Sequence, residues 1–196
     1  MGARGYTIFD TGIGRCGIAW SDLGIVGVQL PEAREIDTRR RLFQLHPDAR
    51  ETRPPPNTEM AIEGIVDLLR GQPSELSGVA LDMTGIHAFS QRVYEFTRRI
   101  PRGETRTYGE LAADMKVSVA VRAVAQAIVH AIASNPFVII VPCHRVLEAG
   151  HYADTMSPSG GSISKRRLLS IEGVRTTESK TLFDVLLPVA PMRPQS

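Results

Sequence analysis

The sequence contains little cysteine and no long apolar segment. Its 196 residues include only Cys16 and Cys143, too few for a disulfide framework or a four-thiolate zinc site. The longest apolar run, FVIIV at residues 137–141, is far shorter than the ~20 residues of a membrane span, and the N-terminus MGARGYTIFD lacks the apolar core of a signal peptide. We therefore expect a cytoplasmic protein with reduced thiols, no metal site and no membrane partner.

An excess of charge of one sign is also absent. The formal net charge is +2, and contents of 42% hydrophobic and 22% charged residues are ordinary for a folded protein, so they exclude disordered and fibrous classes. The cations are nevertheless uneven, because RRIPRGETR at residues 98–106 and SKRRLL from Ser164 concentrate them in the second half. A polyanion such as nucleic acid would therefore bind there.

Strand patterns open and close the first half of the chain. Residues 6–30 are rich in β formers and predict a meander of short strands. Val79, Leu81 and Met83 alternate with small or polar residues and predict a closing strand. Together with the helices between them, these segments predict a small N-terminal α/β domain, residues 1–85.

Two helices are expected between these strands. Residues 39–45 predict a short one, and the PPP at residues 54–56 predicts a linker or rim loop after it. The apolar positions of the next segment recur on one helical face. We expect Thr58 to cap the start of this second helix and Gly71 to end it.

The second half, residues 86–175, is predicted to be mostly helical. Thr107 and Glu110 have the spacing of a capping box and predict the start of a short helix through Met115. A turn and then the alanine-rich helix VAVRAVAQAIVHAIAS follow, an order typical of a helix-turn-helix unit. The alanines suit close packing on neighbouring helices as well as approach to DNA. Residues 176–196 are expected to be a C-terminal tail.

Cys143 follows a β-branched run and a proline in VIIVPCHRV. A thiol is nucleophilic as its thiolate, and burial in apolar surroundings raises its pKa, so a buried cysteine is inert unless a base or a cation lies beside it. His144 is adjacent in sequence, but neighbours in an extended segment point to opposite faces. The dipeptide by itself therefore leaves two interpretations open, a structural cysteine and a nucleophile.

A longer series of motifs favours the nucleophile. GETRTYGELA, VRAVAQAI, SNPFVIIVPCHRV, SGG and LLSIEG resemble, in order, the motifs of the methylated-DNA–protein-cysteine methyltransferases, which remove alkyl groups from O6 of guanine in DNA. The resemblance spans residues 89–173. It implies an α+β fold, with an RNase H-like N-terminal domain before a winged helix-turn-helix domain. It also implies transfer of the alkyl group to Cys143 without a cofactor. Because the product is a thioether, this transfer would be irreversible and each molecule would act once.

The resemblance implies catalytic roles for five residues. Cys143 would be the alkyl acceptor, His144 would take its proton through a bound water, and Glu172 would orient that histidine. Tyr108 would assist the departing guanine, and Asn135 would tie the preceding helix to the active-site loop. Without the resemblance, Tyr108 is equally an aromatic anchor at a helix start, and Asn135 is a helix C-cap before a proline.

The same resemblance implies that the protein binds alkylated double-stranded DNA as a monomer and works on the nucleoid. Arg122 would enter the base stack where the damaged nucleotide is rotated out, because a buried thiol cannot reach the O6 group of a stacked guanine. Ala120 and Ala123 would let the helix approach the minor groove, and Thr107 would also contact DNA. From its position alone, Arg122 would be a solvated surface charge.

The predicted recognition helix departs from the family pattern. Ala125 stands where the family has glycine, and about four additional residues, close to one helical turn, separate it from Asn135. The helical faces would stay in phase. Arg122 would lie one turn further from Asn135 unless the extra turn bulges out, which bears directly on DNA docking.

The expected substrate pocket also departs from the pattern. A methionine stands at the place of the usual aromatic residue, and it can cover the face of a base but cannot stack on it as an aromatic ring does. Two serines are equally near candidates for a contact to the base oxygen. The expected pocket residues are Val146, Met156, Ser157 and Ser159.

Three other functions compete with alkyl transfer. An alkyltransferase-like protein would bind the lesion without accepting its alkyl group, but such proteins usually lack the cysteine that stands here as Cys143. A helix-turn-helix transcription regulator would leave the PCHRV motif unused. A Cys–His hydrolase would share Cys143 and His144 but none of the other motifs.

Overall fold

The computed structural model of the protein describes residues 4–74, 76–117, 122–148 and 165–174, with Arg122 described by its main chain alone. A small sheet is followed by a mostly helical part, which confirms the expected α+β class. No helix in these ranges is long and apolar enough to cross a membrane. The strands are β1 (Gly5–Thr11), β2 (Gly14–Trp20), β3 (Ile25–Gln29), β4 (Arg50–Glu51), β5 (Arg106–Thr107) and β6 (Val146–Leu147). The helices are α1 (Glu35–Leu45), α2 (Pro56–Leu69), α3 (Ala88–Arg98), α4 (Tyr108–Asp114), α5 (Arg122–Ala133) and α6 (Lys165–Ile171).

The N-terminal sheet is a meander with one added strand. Its order is β3-β2-β1-β4, with β1–β2 and β2–β3 antiparallel and β1–β4 parallel. Successive residues of a strand face opposite sides, so β2 sends Cys16, Ile18 and Trp20 into the main core and Gly17 and Ala19 towards α1. The predicted meander is confirmed, with α1 on one face of the sheet and α2 on the other.

Both helices of the first half begin earlier than predicted. α1 begins at Glu35 instead of residue 39. α2 begins at Pro56, with Pro55 as its N-cap, because proline suits the first helical turn, where its missing N–H has no partner to lose. The prediction that Thr58 caps α2 is therefore wrong. Its buried hydroxyl has no hydrogen-bond partner among the residues that the structure describes.

The predicted closing strand is also wrong. Within residues 79–83 only Leu81 pairs with the sheet, through an isolated parallel bridge to Ile25. The main chain approaches closely here, since Ile25 N donates to Ala80 O at 3.0 Å. Gly24 makes this approach possible: its φ is +147°, and a Cβ at this position would lie 2.5 Å from Ala80 O. The segment therefore crosses the edge of the sheet and does not extend it.

The helices of the second half pack around α5. The predicted capping box is present at the start of α4, where Thr107 Oγ1 accepts from Glu110 N at 3.2 Å and the Glu110 carboxylate accepts from Thr107 N at 2.6 Å. α5 runs without interruption and contacts both α3 and α4. The residues that lengthen this segment therefore extend the helix, and no bulge forms between Arg122 and Ala133.

The two halves of the chain share one hydrophobic core and are also joined by main-chain hydrogen bonds. At the edge of the sheet, Val28 N donates to Pro136 O at 2.8 Å. The guanidinium of Arg102 donates to Gly71 O at 2.6 Å and to Ile171 O at 3.3 Å, so it connects the ends of α2 and α6. These bonds anchor the segments after α5 and α6 to the N-terminal half.

Candidate active site

A tight loop leads from α5 to Cys143. Asn135 holds this loop, because its Oδ1 accepts from Phe137 N at 2.9 Å and its Nδ2 donates to Val141 O at 3.0 Å. Val141 N in turn donates to Phe137 O at 2.7 Å, and Ile139 has a φ of 75°, which is rare for a β-branched residue. The apolar run thus turns back on itself and sets the position of Cys143 relative to α5.

Cys143 and His144 lie in a single 3₁₀ turn, Cys143–Arg145, directly after the loop. Consecutive side chains of a 3₁₀ turn point about 120° apart, not to opposite faces as in a strand. Both side chains are buried, with the two residues 2% and 1% exposed. The parallel pairing of β5 with β6 matches Thr107 with Leu147, which places the start of α4 beside this turn.

Glu172, directly after α6, is hydrogen-bonded to two residues of the 3₁₀ turn, His144 and Arg145. His144 Nε2 lies 2.8 Å from Glu172 Oε1. The guanidinium of Arg145 binds the same carboxylate in a bidentate manner: Nη2 donates to Oε1 at 2.7 Å and Nε donates to Oε2 at 2.9 Å. The Glu172 side chain is 0% exposed, so these protein groups replace water around its charge.

The charge state of this cluster follows from its contacts. Burial raises the pKa of Glu172, but hydrogen bonds from His144 and Arg145 outweigh burial and hold that pKa at about 2. An ionised carboxylate only accepts, so His144 Nε2 carries the hydrogen. Burial lowers the pKa of His144, with Glu172 opposing in part, so its imidazole is neutral at pH 7. Its buried Nδ1 has no hydrogen-bond partner among the described residues and presents a lone pair.

The thiol of Cys143 is protonated at rest but is surrounded by groups that favour the thiolate. Burial raises its pKa. The Asn135 amide, the Lys165 ammonium and the main-chain N–H groups of Cys143 and His144 act in the opposite direction, because each stabilises negative charge on sulfur. The site can therefore produce a buried thiolate once a proton moves to a base.

Tyr108 and Lys165 approach the thiol from α4 and α6. The pKa of Tyr108 is raised by burial first, and then by the negative charges of the Cys143 thiolate and Glu148. Lys165 is 6% exposed, its Nζ donates to Val146 O at 3.3 Å, and burial lowers its pKa. A phenol and an ammonium thus lie where they can compensate charge that develops near sulfur.

The structure gathers the five predicted catalytic residues around one thiol, and their roles remain predictions. Cys143, His144 and Glu172 are contiguous through the turn and the end of α6. The Asn135 side chain stabilises the thiolate of Cys143 from the loop, and Tyr108, at the first position of α4, is near enough for the charge of that thiolate to raise its pKa.

The residues predicted for DNA and pocket contacts are only partly described. Thr107 is the N-cap of α4, and Ala123 is exposed near the start of α5. Arg122 is the first residue of α5, and its side chain is outside the described part. Val146 is fully buried beside the 3₁₀ turn. The predicted residues outside the described ranges are Ala120, Met156, Ser157 and Ser159.

The sequence patterns did not predict Arg145 and Lys165 as site residues. The signal for Arg145 was its place in PCHRV, where a cation directly follows a thiol and an imidazole. Lys165 belongs to SKRRLL, which reads as a basic surface patch, yet its amine is buried. Only the docking of α6 on the 3₁₀ turn separates this lysine from its neighbours in the charge run.

The other cysteine has a different environment. Cys16 lies in β2 at 0% exposure, and burial raises its pKa to about 12, with a weak contact to the Thr11 hydroxyl at 3.8 Å acting against burial. Such a thiol is unreactive. Within the four described ranges, no group of three or more histidine, cysteine, aspartate or glutamate side chains could hold a metal ion.

Fold and site together define an α+β protein with a buried Cys–His–Glu centre. Residues 88–174 match the family model described as the DNA-binding domain of 6-O-methylguanine DNA methyltransferase. The chain belongs to the methylated-DNA–protein-cysteine methyltransferase family, as its motifs predicted.

Relatives and solved structures agree with this assignment. The Mycobacterium tuberculosis methylated-DNA–protein-cysteine methyltransferase is 42% identical over 129 residues, which are 63% of this chain and 73% of the relative. The crystal structure of M. tuberculosis O6-methylguanine methyltransferase superposes with a TM-score of 0.64 at 32% identity, over 92% of this chain and 99% of that one. The structure of M. tuberculosis OGT in complex with DNA superposes with a TM-score of 0.58 at 29% identity, over 85% of this chain and 91% of that one.

Proposed function

We propose that the protein repairs DNA by irreversible transfer of the alkyl group from O6-alkylguanine to Cys143, once per molecule. The observation that carries this proposal is the buried Cys143 thiol beside a neutral His144, whose Nε2 is bonded to the Glu172 carboxylate at 2.8 Å. A relative in the same family bears the name methylated-DNA–protein-cysteine methyltransferase, and that name matches what this set of groups can do.

In the proposed reaction, the Cys143 thiol gives its proton to His144 Nδ1 through a water, and the thiolate attacks the alkyl carbon bonded to O6. The S–C bond forms as the C–O6 bond breaks, and guanine leaves with the bonding electrons. The guanine anion then takes a proton, for which the Tyr108 hydroxyl is the proposed donor. The thioether product cannot be reversed by thiol exchange, so the protein is consumed.

The DNA-binding part of the proposal rests on α4 and α5. We propose that these helices form the helix-turn-helix of a winged domain, residues 86–175, which follows an RNase H-like domain, residues 1–85. The packing of α4 on α5 and the exposure of Ala123 support this arrangement. Thr107 and Ala120 would contact the same DNA.

Base flipping is the second element of the DNA-binding proposal. Arg122 would fill the gap left by the rotated nucleotide, which offsets part of the cost of unstacking. α5 is continuous, so at ~1.5 Å per residue Arg122 lies roughly 18 Å along the helix axis from Ser134. The longer helix would reach further across the duplex. The extruded base would meet Val146, Met156 and either Ser157 or Ser159.

We also infer that the protein acts on duplex DNA as a monomer and works on the cytoplasmic nucleoid. The proposed mechanism uses residues of one chain, and its substrate is chromosomal DNA. Sedimentation of the free protein and of its complex with a short duplex measures the stoichiometry directly.

Intact-protein mass spectrometry after incubation with a duplex carrying O6-methylguanine tests the proposed function. We expect a gain of one methyl group, located on the Cys143 peptide. Cys143→Ser should abolish the gain, and the control Cys16→Ser should retain it because Cys16 is buried elsewhere with a raised pKa. Tight binding to the lesion without a mass change would instead assign the protein to the alkyltransferase-like class.

Arg122→Ala tests base flipping. It should slow repair of duplex DNA far more than the reaction with free O6-benzylguanine, which needs no extrusion. Arg53→Ala removes the same charge from a side chain that is 91% exposed in the N-terminal half, so it controls for net charge. Equal losses on both substrates would remove the proposed role of Arg122.

A further inference from the structure

Arg145 is a buried cation that the proposed reaction does not use directly. The residue is 8% exposed, and its described hydrogen bonds go to Glu172 and to one main-chain carbonyl. Nε and Nη2 face the carboxylate, while Nη1 donates to Ile100 O at 2.6 Å just after α3. A buried charge with this set of partners has a defined orientation and a defined electrostatic effect on its neighbours.

We propose that Arg145 is a positioning residue for alkyl transfer: its guanidinium fixes the Glu172 carboxylate so that Oε1 faces His144 Nε2, which leaves His144 Nδ1 to receive the thiol proton. This inference rests on the proposed function. It assigns Arg145 no contact with the reacting atoms.

The geometry requires a fork of donors. Glu172 Oε1 accepts from both His144 Nε2 and Arg145 Nη2, and Oε2 accepts from Arg145 Nε. Two parallel bonds prevent the carboxylate from rotating about its terminal torsion, and the third bond to Ile100 O holds the fork itself. A single ammonium cannot reproduce this, because it binds as a point charge without a plane.

The charge of Arg145 also sets the proton count of the pair formed by His144 and Glu172. A buried carboxylate beside an imidazole attracts an additional proton, wherever in the pair that proton resides. The guanidinium balances the carboxylate, so the pair remains a neutral imidazole and an anion. Without Arg145 the pair would take up this proton at a higher pH, and a protonated His144 could not act as a base.

Other titratable groups also lie near the pair formed by His144 and Glu172. Lys165 from α6 lowers the proton affinity of His144, as Arg145 does. The negative charge of the Cys143 thiolate raises the pKa of Lys165 and that of Tyr108, and the carboxylate of Glu148 also raises the pKa of Tyr108. Among the interactions described for Glu172, only Arg145 both touches the carboxylate and carries a permanent positive charge.

The experiment measures the rate of alkyl transfer by the full-length protein from O6-benzylguanine between about pH 5 and pH 9, with intact mass as the readout. Arg145→Met should slow transfer at neutral pH by roughly 10- to 100-fold, by analogy with the loss of a hydrogen-bonded partner that orients a metal-bound histidine. The acid limb of its pH–rate profile should move upwards by about one unit or more, because a compensating charge is lost.

Arg145→Lys separates charge from geometry. It should keep the acid limb near that of the unmodified protein, while the rate falls by about tenfold because the fork is lost. Arg102→Met is the matched control, since Arg102 is also an arginine near the end of α6 but donates to main-chain carbonyls. It should lower the melting temperature without moving the acid limb.

Each outcome decides the inference. A folded Arg145→Met protein with an unchanged acid limb, or an Arg145→Lys protein with an unchanged rate, would overturn it. If Arg145→Met does not fold, the rate and acid limb of Arg145→Lys decide alone. If the unmodified protein gains no alkyl mass, the proposed function fails and this inference fails with it. Normal transfer with insensitive Arg145 variants refutes only the role of Arg145.

Discussion

Replacing Asn135 by alanine should destabilise the protein strongly. The Asn135 side chain is the partner of two buried main-chain groups, accepting from Phe137 N at 2.9 Å and donating to Val141 O at 3.0 Å. Phe137 and Val141 are both 0% exposed, so water cannot replace the lost partner. Val141 O keeps its bond from Cys143 N at 2.7 Å, so only Phe137 N is orphaned. An orphaned buried group costs about 1–3 kcal/mol and the lost bond to Val141 O about 0.5–1.5 kcal/mol, so we expect a loss of roughly 2–4 kcal/mol. This is a large fraction of the typical 5–15 kcal/mol of a folded domain.

Asn57 provides a matched control. Its side chain makes the same two kinds of bond to Ala80, accepting from Ala80 N at 2.8 Å and donating to Ala80 O at 3.1 Å, but at the surface. Water can satisfy Ala80 after Asn57→Ala, so that change should cost at most about 1 kcal/mol. The difference between the two variants isolates the effect of burial.

Urea unfolding measures both variants. Trp20 is the only tryptophan and is 6% exposed, so its fluorescence reports the loss of the core. Asn135→Ala should also slow alkyl transfer, because the Cys143 thiolate loses a hydrogen-bond donor and the pKa of the thiol rises further. Free energies of unfolding that fall equally in the two variants, within about 0.5 kcal/mol, would refute the reasoning.

Three further predictions concern pH and local structure. The folded state lowers the pKa of His144 below 6.5 and that of Glu172 from 4.5 to about 2, so in acid the unfolded chain binds more protons than the folded chain. The urea concentration at the midpoint of unfolding should therefore fall below about pH 6.5 and again below about pH 4.5. A midpoint that does not change with pH would contradict both shifts. Thr107→Ala removes the cap of α4 and should cost about 1 kcal/mol in the same assay, whereas Thr107→Ser should restore most of it. Gly24→Ala should cost more than about 1 kcal/mol, since φ is +147° and the new Cβ would lie 2.5 Å from Ala80 O; a neutral effect would show that this crossing can relax.

Local signals account for the parts of the fold that were predicted correctly. The capping box at Thr107 involves partners three residues apart, and the meander of β1 to β3 pairs strands that are consecutive in the chain. Gly71 ends α2 as expected, with a positive φ just beyond the last helical residues. Such features depend on neighbours in sequence, so the sequence contains the information that forms them.

Two expected features, the strand at residues 79–83 and the N-cap at Thr58, are wrong because contacts distant in sequence or a competing local signal determine the structure there. Alternation at residues 79–83 resembles a strand, but Gly24 lets that segment meet the sheet at a single residue. Thr58 has the chemistry of an N-cap, but Pro55 and Pro56 start the helix before it. A pattern of short range cannot decide between two such signals.

The sequence by itself determined which chemical groups are available at the candidate site, because the motifs around Asn135, Cys143 and Glu172 define the family and its thiol chemistry. It did not determine the proton state of those groups. Arg145 and Glu172 are 27 residues apart in sequence, and only the docking of α6 on the 3₁₀ turn brings them within 2.7 Å and excludes water from the carboxylate. Burial and pairing of charges depend on the whole fold, so the tertiary structure alone decides that the thiol and imidazole are neutral at rest and which nitrogen of His144 carries the hydrogen.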